Sequence, residues 1–192
     1  MESGADITVG PADGLRGEVT LYDGIAYVST IDATGKEVVT TGTVPPAIFL
    51  AYGGAASWTP IPVDRRIEGL DQAEAFVREW AETQNLPLER GFPFRFEGRM
   101  ARLSYHVIFL PNDAAGPHSS AAHQQAKTPF SADGELIRIA GVWVPENQVG
   151  EVTHPGRRTH LHVVREAARG SGHVDDLIIE AGATLFLPAR DS

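Results

Sequence analysis

The stretch Thr159–Asp176, THLHVVREAARGSGHVDD, decides how the chain is read. It holds three of the seven histidines: His160, His162 and His173. Side chains of a strand alternate between its two faces, so His160 and His162 point the same way and Leu161 points the other. The segment REAARGSG, with Gly170 and Gly172, reads as a turn. A hairpin centred on Ala167 and Ala168 sets His162 opposite His173, with Cβ atoms about 4.5–5.5 Å apart. Three imidazoles then converge on one point. Zinc, iron or manganese accepts three such nitrogens at about 2.0–2.2 Å and keeps open positions for water or substrate. The competing reading is a surface strand that happens to carry polar residues, which a lone H-x-H would favour. The third histidine on the partner strand shifts the balance to a metal site.

Outward from this hairpin the chain is rich in strands. Upstream, GEVTLYDGIAYVSTI (residues 17–31) reads as a hairpin about Asp23-Gly24, a favoured two-residue turn pair. EVVTT follows as a strand, and VPPAIFLAYGGAASW (44–58) as a buried strand ending in a glycine-rich bend. The first ten to fifteen residues read as an irregular arm. LDQAEAFVREWAETQN (70–85) is a helix, with Asp71 as its cap, Phe76, Val77, Trp80 and Ala81 as its apolar stripe, and Asn85 and Pro87 as its stop. FPFRFEGRMARLSYHVIFLP (92–111) reads as two strands broken near Gly98. Residues 112–134 form a long polar loop carrying His118 and His123, both expected in solvent. ELIRIAGVWVP, RRTHLHVVR and HVDDLIIEAGATLFLP return to strand. His154, before Pro155, reads as a turn residue. The expected class is α+β, with mixed or antiparallel sheets and a β-rich C-terminal metal-binding lobe. The expected organisation is one compact domain over 1–192, with possible lobes at about 1–90 and 91–192.

Composition narrows the function. With 42% apolar and 21% charged residues the chain is an ordinary globular one. There is no cysteine, so any metal is held by imidazole and carboxylate. The net charge of −9 argues against a nucleic-acid surface. No apolar run approaches the roughly 20 residues of a membrane span, and the first residues lack the pattern of a secretory signal. We therefore expect a cytoplasmic protein with neither membrane nor nucleic-acid partners.

Two resemblances compete. HLHVVRE fits the first cupin motif, H-x-H-x3-E, with Glu166 as the carboxylate and glycines at Gly156 and Gly172. The second cupin motif needs a histidine after G-x5-P; GATLFLP supplies Gly182 and Pro188, and no histidine follows. The chain more closely resembles the α-acetolactate decarboxylases. That family carries H-x-H and a third histidine after ten intervening residues in a GGHV-x-D setting, which matches His160, His162, His173 and Asp176 in SGHVDD. GEVTLYDGIAYV resembles the family's opening, RFEG its R-I-D-G strand, and GVWVPENQVGEVTHPGRRTHLHVV its approach to the metal.

The resemblance implies a metal-dependent lyase, zinc as the ion, a small oxo acid as substrate and a homodimer. The family removes CO2 from a 2-hydroxy-3-oxo acid such as acetolactate, giving acetoin. It implies that Glu18 lies beside the metal and acts in proton transfer. His106 falls where the family has an arginine that handles the substrate, and histidine, unlike arginine, exchanges protons near neutral pH. Arg102 and Arg99 are candidates to compensate, with strand alternation favouring Arg102. The family's C-terminal tail returns a further glutamate, and we expect none after LFLPARDS. These departures motivate an alternative: the same metal serving another keto–enol step, isomerisation or aldol-type cleavage. A third reading is a binding module whose metal contributes only folding energy.

Overall fold

A computed structural model describes residues 5–110, 124–165 and 169–189. Two sheets account for most of it. The first is built from β1 (Ile7–Pro11), β2 (Glu18–Tyr22), β3 (Ile25–Ile31), β4 (Glu37–Thr41) and β5 (Ala51–Gly53) in the order β4-β3-β2-β1-β5. The second contains β6 (Trp58–Pro62), β7 (Ile67–Glu68), β8 (Phe92–Ile108), β9 (Lys127–Ser131), β10 (Glu135–Trp143), β11 (Thr159–Arg165), β12 (Gly170–Ile179) and β13 (Thr184–Pro188). All strand pairings among the described residues are antiparallel. The helix α1 (Gly69–Thr83) completes the α+β architecture.

The 17-residue strand β8 organises the second sheet. Its first half pairs with β10 and its second half with β12, while β10 pairs with β11 and β11 with β12. The four strands thus close into a ring. The expected break near Gly98 is absent, and one continuous strand runs through it. Gly98 has φ +153°, and a Cβ there would lie 2.5 Å from the Cβ of Ala183, so glycine lets the next segment cross close by.

Local chemistry explains the elements that form as expected. Asp23 and Gly24 both have positive φ, 48° and 75°, as a type I′ turn requires. Helix α1 buries Ala73, Phe76, Val77 and Ala81, with Trp80 partly buried. Phe76 packs on Phe96 of β8 with ring centroids 6.5 Å apart, a burial that contributes about 1.5–3 kcal/mol for such a side chain. Asp71 does not cap the helix: the N-cap is Glu68, whose backbone N–H donates to the Gln72 side chain at 2.9 Å. Asp71 lies in the first turn and pairs with Arg157.

Three other expectations change. The N-terminal arm is strand β1, inserted between β2 and β5 with Ile7 and Val9 fully buried; its glycine and proline masked a short strand. Residues 44–58 give only the short strands β5 and the start of β6, because two prolines and a glycine pair break the run. The long loop contains β9, which pairs with the end of β8, while its residues 111–123, with His118 and His123, lie outside the described residues.

The two sheets face each other. Ile7, Val9 and Tyr22 of the first pack against Ala140, Val142 and Val164 of the second. Alternation along β2 puts Glu18, Thr20 and Tyr22 on this inner face. Two polar residues of β2 are thereby carried into the space over β11 and β12.

Candidate metal centre and its cleft

The register of β11 and β12 sets His162 directly opposite His173, as the hairpin reading requires; residues 166–168, with Glu166, lie outside the described residues. His160 lies two residues upstream on the same face. Its Nε2 is 3.2 Å from Nε2 of His162 and 3.0 Å from Nδ1 of His173. One nitrogen from each ring lies within 4.8 Å of the other two, so the group could hold a metal ion.

The chemistry of the donors fits a cation. A tetrahedral ion with bonds of about 2.0–2.1 Å holds its ligands about 3.3 Å apart, close to the two short separations here. The outward nitrogens are oriented: His160 Nδ1 is 2.5 Å from the carbonyl oxygen of Val152, and His162 Nδ1 is 2.9 Å from the Thr20 hydroxyl. Protons on those nitrogens leave lone pairs on the inward ones, and lone pairs at such distances repel unless a cation lies between them. Burial holds His162 and His173 well below the usual histidine range, with the neighbouring imidazoles adding to the effect, so both rings are kept neutral, the form that ligates.

Support for His162 comes from the other sheet. Thr20 and Ser171 are both fully buried, and the Ser171 hydroxyl donates to Thr20 Oγ1 at 2.9 Å. Glu18, on the same face of β2, brings Oε2 to 3.7 Å from His162 Nε2 and is 1% exposed. Its Oε1 is buried without a hydrogen-bond partner among the described residues. Burial pushes this carboxyl up to about 8, against a backbone N–H from Ile108 and the charge of Lys127.

A cleft of about 510 Å³ opens on this cluster, with Glu18, His106, His154, His160 and His173 in its lining beside apolar Phe49. His106 of β8 lies opposite His173 of β12, ring centroids 4.9 Å apart. His106 Nδ1 is 2.9 Å from both carboxylate oxygens of Asp175, and Lys127 Nζ lies 3.6 Å from Asp175 Oδ1. Burial works against charge on Asp175, but the His106 bond and Lys127 outweigh it and hold the carboxyl below its ordinary range. Burial likewise lowers His106, opposed by Asp175.

All five residues expected at the site, Glu18, His106, His160, His162 and His173, therefore meet. Other assignments shift. Asp176 faces away and pairs with Arg102 at 2.6 Å, so neither lines the cleft; Arg99 donates to the carbonyl of Gly134. Asp175, Lys127 and Thr20 were not singled out by sequence reasoning, and His154, read as a turn residue, also lines the cleft with its ring 5.0 Å from that of His173. A larger depression of about 600 Å³ over α1, between Asp71, Arg78 and Arg157, has no such convergence of ligands.

Comparison with known proteins agrees with this geometry. A family model for alpha-acetolactate decarboxylase matches residues 1–189. The alpha-acetolactate decarboxylases of Lactococcus lactis subsp. lactis (strain IL1403) and Lactococcus lactis subsp. cremoris (strain MG1363) are 25% and 26% identical to the chain over 179 residues, covering 92% of it and 69% of each relative. The crystal structure of alpha-acetolactate decarboxylase from Bacillus subtilis strain 168 superposes with a TM-score of 0.71 at 18% identity, over 96% of this chain and 74% of that one, a likeness of fold. With its three histidines brought together on that fold and nearly its whole length matched, the chain belongs to the alpha-acetolactate decarboxylase family, a family of lyases.

Proposed function

We propose that the chain is a zinc-dependent decarboxylase acting on a 2-hydroxy-3-oxo acid of the acetolactate type and releasing the hydroxyketone acetoin. The observation that carries this reading is the convergence of His160, His162 and His173, two of them with their outer nitrogens already held. These three residues would hold the zinc ion. When bound, the ion supplies Lewis-acid stabilisation of the negative charge that departing CO2 leaves on the substrate.

The rest of the work falls to the chain. Breaking the carbon–carboxylate bond leaves an electron pair, spread over carbon and the neighbouring carbonyl oxygen, and the product needs one proton at carbon. Glu18, buried beside the histidines, is the group we assign to deliver it. His106, across the β8–β12 ladder from His173, contacts the substrate beside the metal. Apolar Phe49 and Ile108 limit the water around the developing charge. The family resemblance also supports a homodimer and a cytoplasmic location. Among the described residues, no helix is long and apolar enough to cross a membrane.

The test is CO2 release and acetoin formation from acetolactate by the zinc-loaded chain. We expect turnover well above the spontaneous rate, and a loss of about 10²–10⁴-fold in Glu18→Gln with zinc content unchanged. Zinc-loaded protein that makes no acetoin would overturn the substrate assignment and favour the second reading, another keto–enol reaction at the same metal. The observation behind that reading is His106, which stands where the family pattern has arginine and is held by Asp175.

A further inference from the structure

We propose that Asp175 is a positioning residue that fixes the ring orientation and tautomer of His106, and that this pair, with Lys127, takes the place of the family's arginine. The proposal rests on the decarboxylase reading for its kinetic consequence, but its structural core does not.

It starts from an irregularity in β12. His173 pairs with His106 and Val174 with Tyr105, but the next pairing is Asp176 with Ser104. Asp175 is the extra residue of a β-bulge. Val174 and Leu177 are both buried in the core, 2% and 0% exposed, although they are three residues apart. Strict alternation would put them on opposite faces. The bulge resolves the conflict by turning two successive carboxylates away from the core, and bulges are known devices for re-aiming a side chain beside an active site. Asp176 goes to Arg102 at the exposed flank, and Asp175 goes to His106.

The residue at position 106 gives that carboxylate a purpose. A guanidinium is charged and presents donors around its whole fork, so it needs no partner to choose a tautomer. An imidazole has two unlike nitrogens, and a hydrogen bond to one assigns the proton. Asp175 brings both oxygens to 2.9 Å from Nδ1, so Nδ1–H donates to the carboxylate and the lone pair belongs to Nε2. Lys127, 3.6 Å from Asp175, balances the carboxylate charge from strand β9. His106 is 1% exposed in a wall of the cleft, where nothing but its neighbours sets the ring angle.

The experiment uses the zinc-loaded full chain with ¹⁵N-labelled histidine. Long-range ¹H–¹⁵N spectra should show His106 as the Nδ1–H tautomer in the wild type and as a mixture in Asp175→Ala. Steady-state kinetics on acetolactate should show kcat reduced at least tenfold in Asp175→Ala, with zinc content unchanged, and no further loss when Asp175→Ala is added to His106→Gln. If Asp175→Ala does not fold, Asp175→Asn replaces it and should move His106 toward the Nε2–H form, because the carboxamide can donate to Nδ1. An unchanged tautomer in a folded Asp175 variant would overturn the proposal, as would unchanged kcat. Should the wild type make no acetoin, the decarboxylase reading fails, and the spectra still decide whether Asp175 sets the tautomer.

Discussion

Two neighbouring flanks of the cleft are built on different principles. The metal wall, His160, His162 and His173, lies on a regular hairpin in perfect two-residue alternation, with its register carrying each imidazole to the same point. The flank beside it, with His106 lining the cleft and Asp175 and Lys127 behind that ring, draws on three strands and depends on a bulge. Periodic pairing can place ligands that share one requirement, convergence on a cation. A wall that must meet a substrate needs an exception to the period, and β12 supplies one within two residues of the last ligand.

This contrast can be broken from the metal side first. His162→Ala should lower zinc from about one per chain to near zero and abolish turnover, by elemental analysis and acetoin assay; normal zinc in the variant would remove His162 from the ligand set. Thr20→Val keeps the β-branched shape and deletes only the hydroxyl beside His162 Nδ1. Zinc affinity, measured by chelator competition, should weaken about 10–100-fold, the usual cost of losing a partner behind a ligand. Unchanged affinity would mean that the hairpin alone orients the ring. The smallest effect belongs to Arg102→Ala. Its pair with Asp176 is well exposed, so a thermal melt should register on the order of 0.5 kcal/mol or less, with zinc and turnover unaffected. A large drop in turnover would mean that the Arg102–Asp176 pair also serves the site.

The same contrast explains what was legible in the sequence. Strand alternation and an Asp-Gly turn are local rules, so the H-x-H pair, the partner histidine and the β2–β3 hairpin could be read directly. Asp175 could not, since nothing in VDD announces the bulge that turns both carboxylates from the core; only the simultaneous burial of Val174 and Leu177 and the shifted register show it. Thr20 was hidden for another reason. It is an ordinary strand threonine until the sheets dock and bring it to a histidine 142 positions away. His154 gave no signal beyond its proline neighbour, and its place on the cleft follows from where the segment before β11 runs. Strand β1 was missed because Gly10 and Pro11 look like loop residues, whereas they stand at the end of a strand buried by neighbours on both sides.

The contact between β2 and the β11–β12 hairpin also has a consequence in time. During synthesis the strand bearing Glu18 and Thr20 leaves the ribosome more than a hundred residues before His160 is made. At about 5–20 residues per second the first sheet waits roughly ten seconds for the face that covers it. Through that interval Glu18 and Thr20 are hydrated rather than buried, and the apolar side chains around them have no partner. The inner face of the nascent first sheet thus stays uncovered until the second sheet, with its histidine hairpin, has been made.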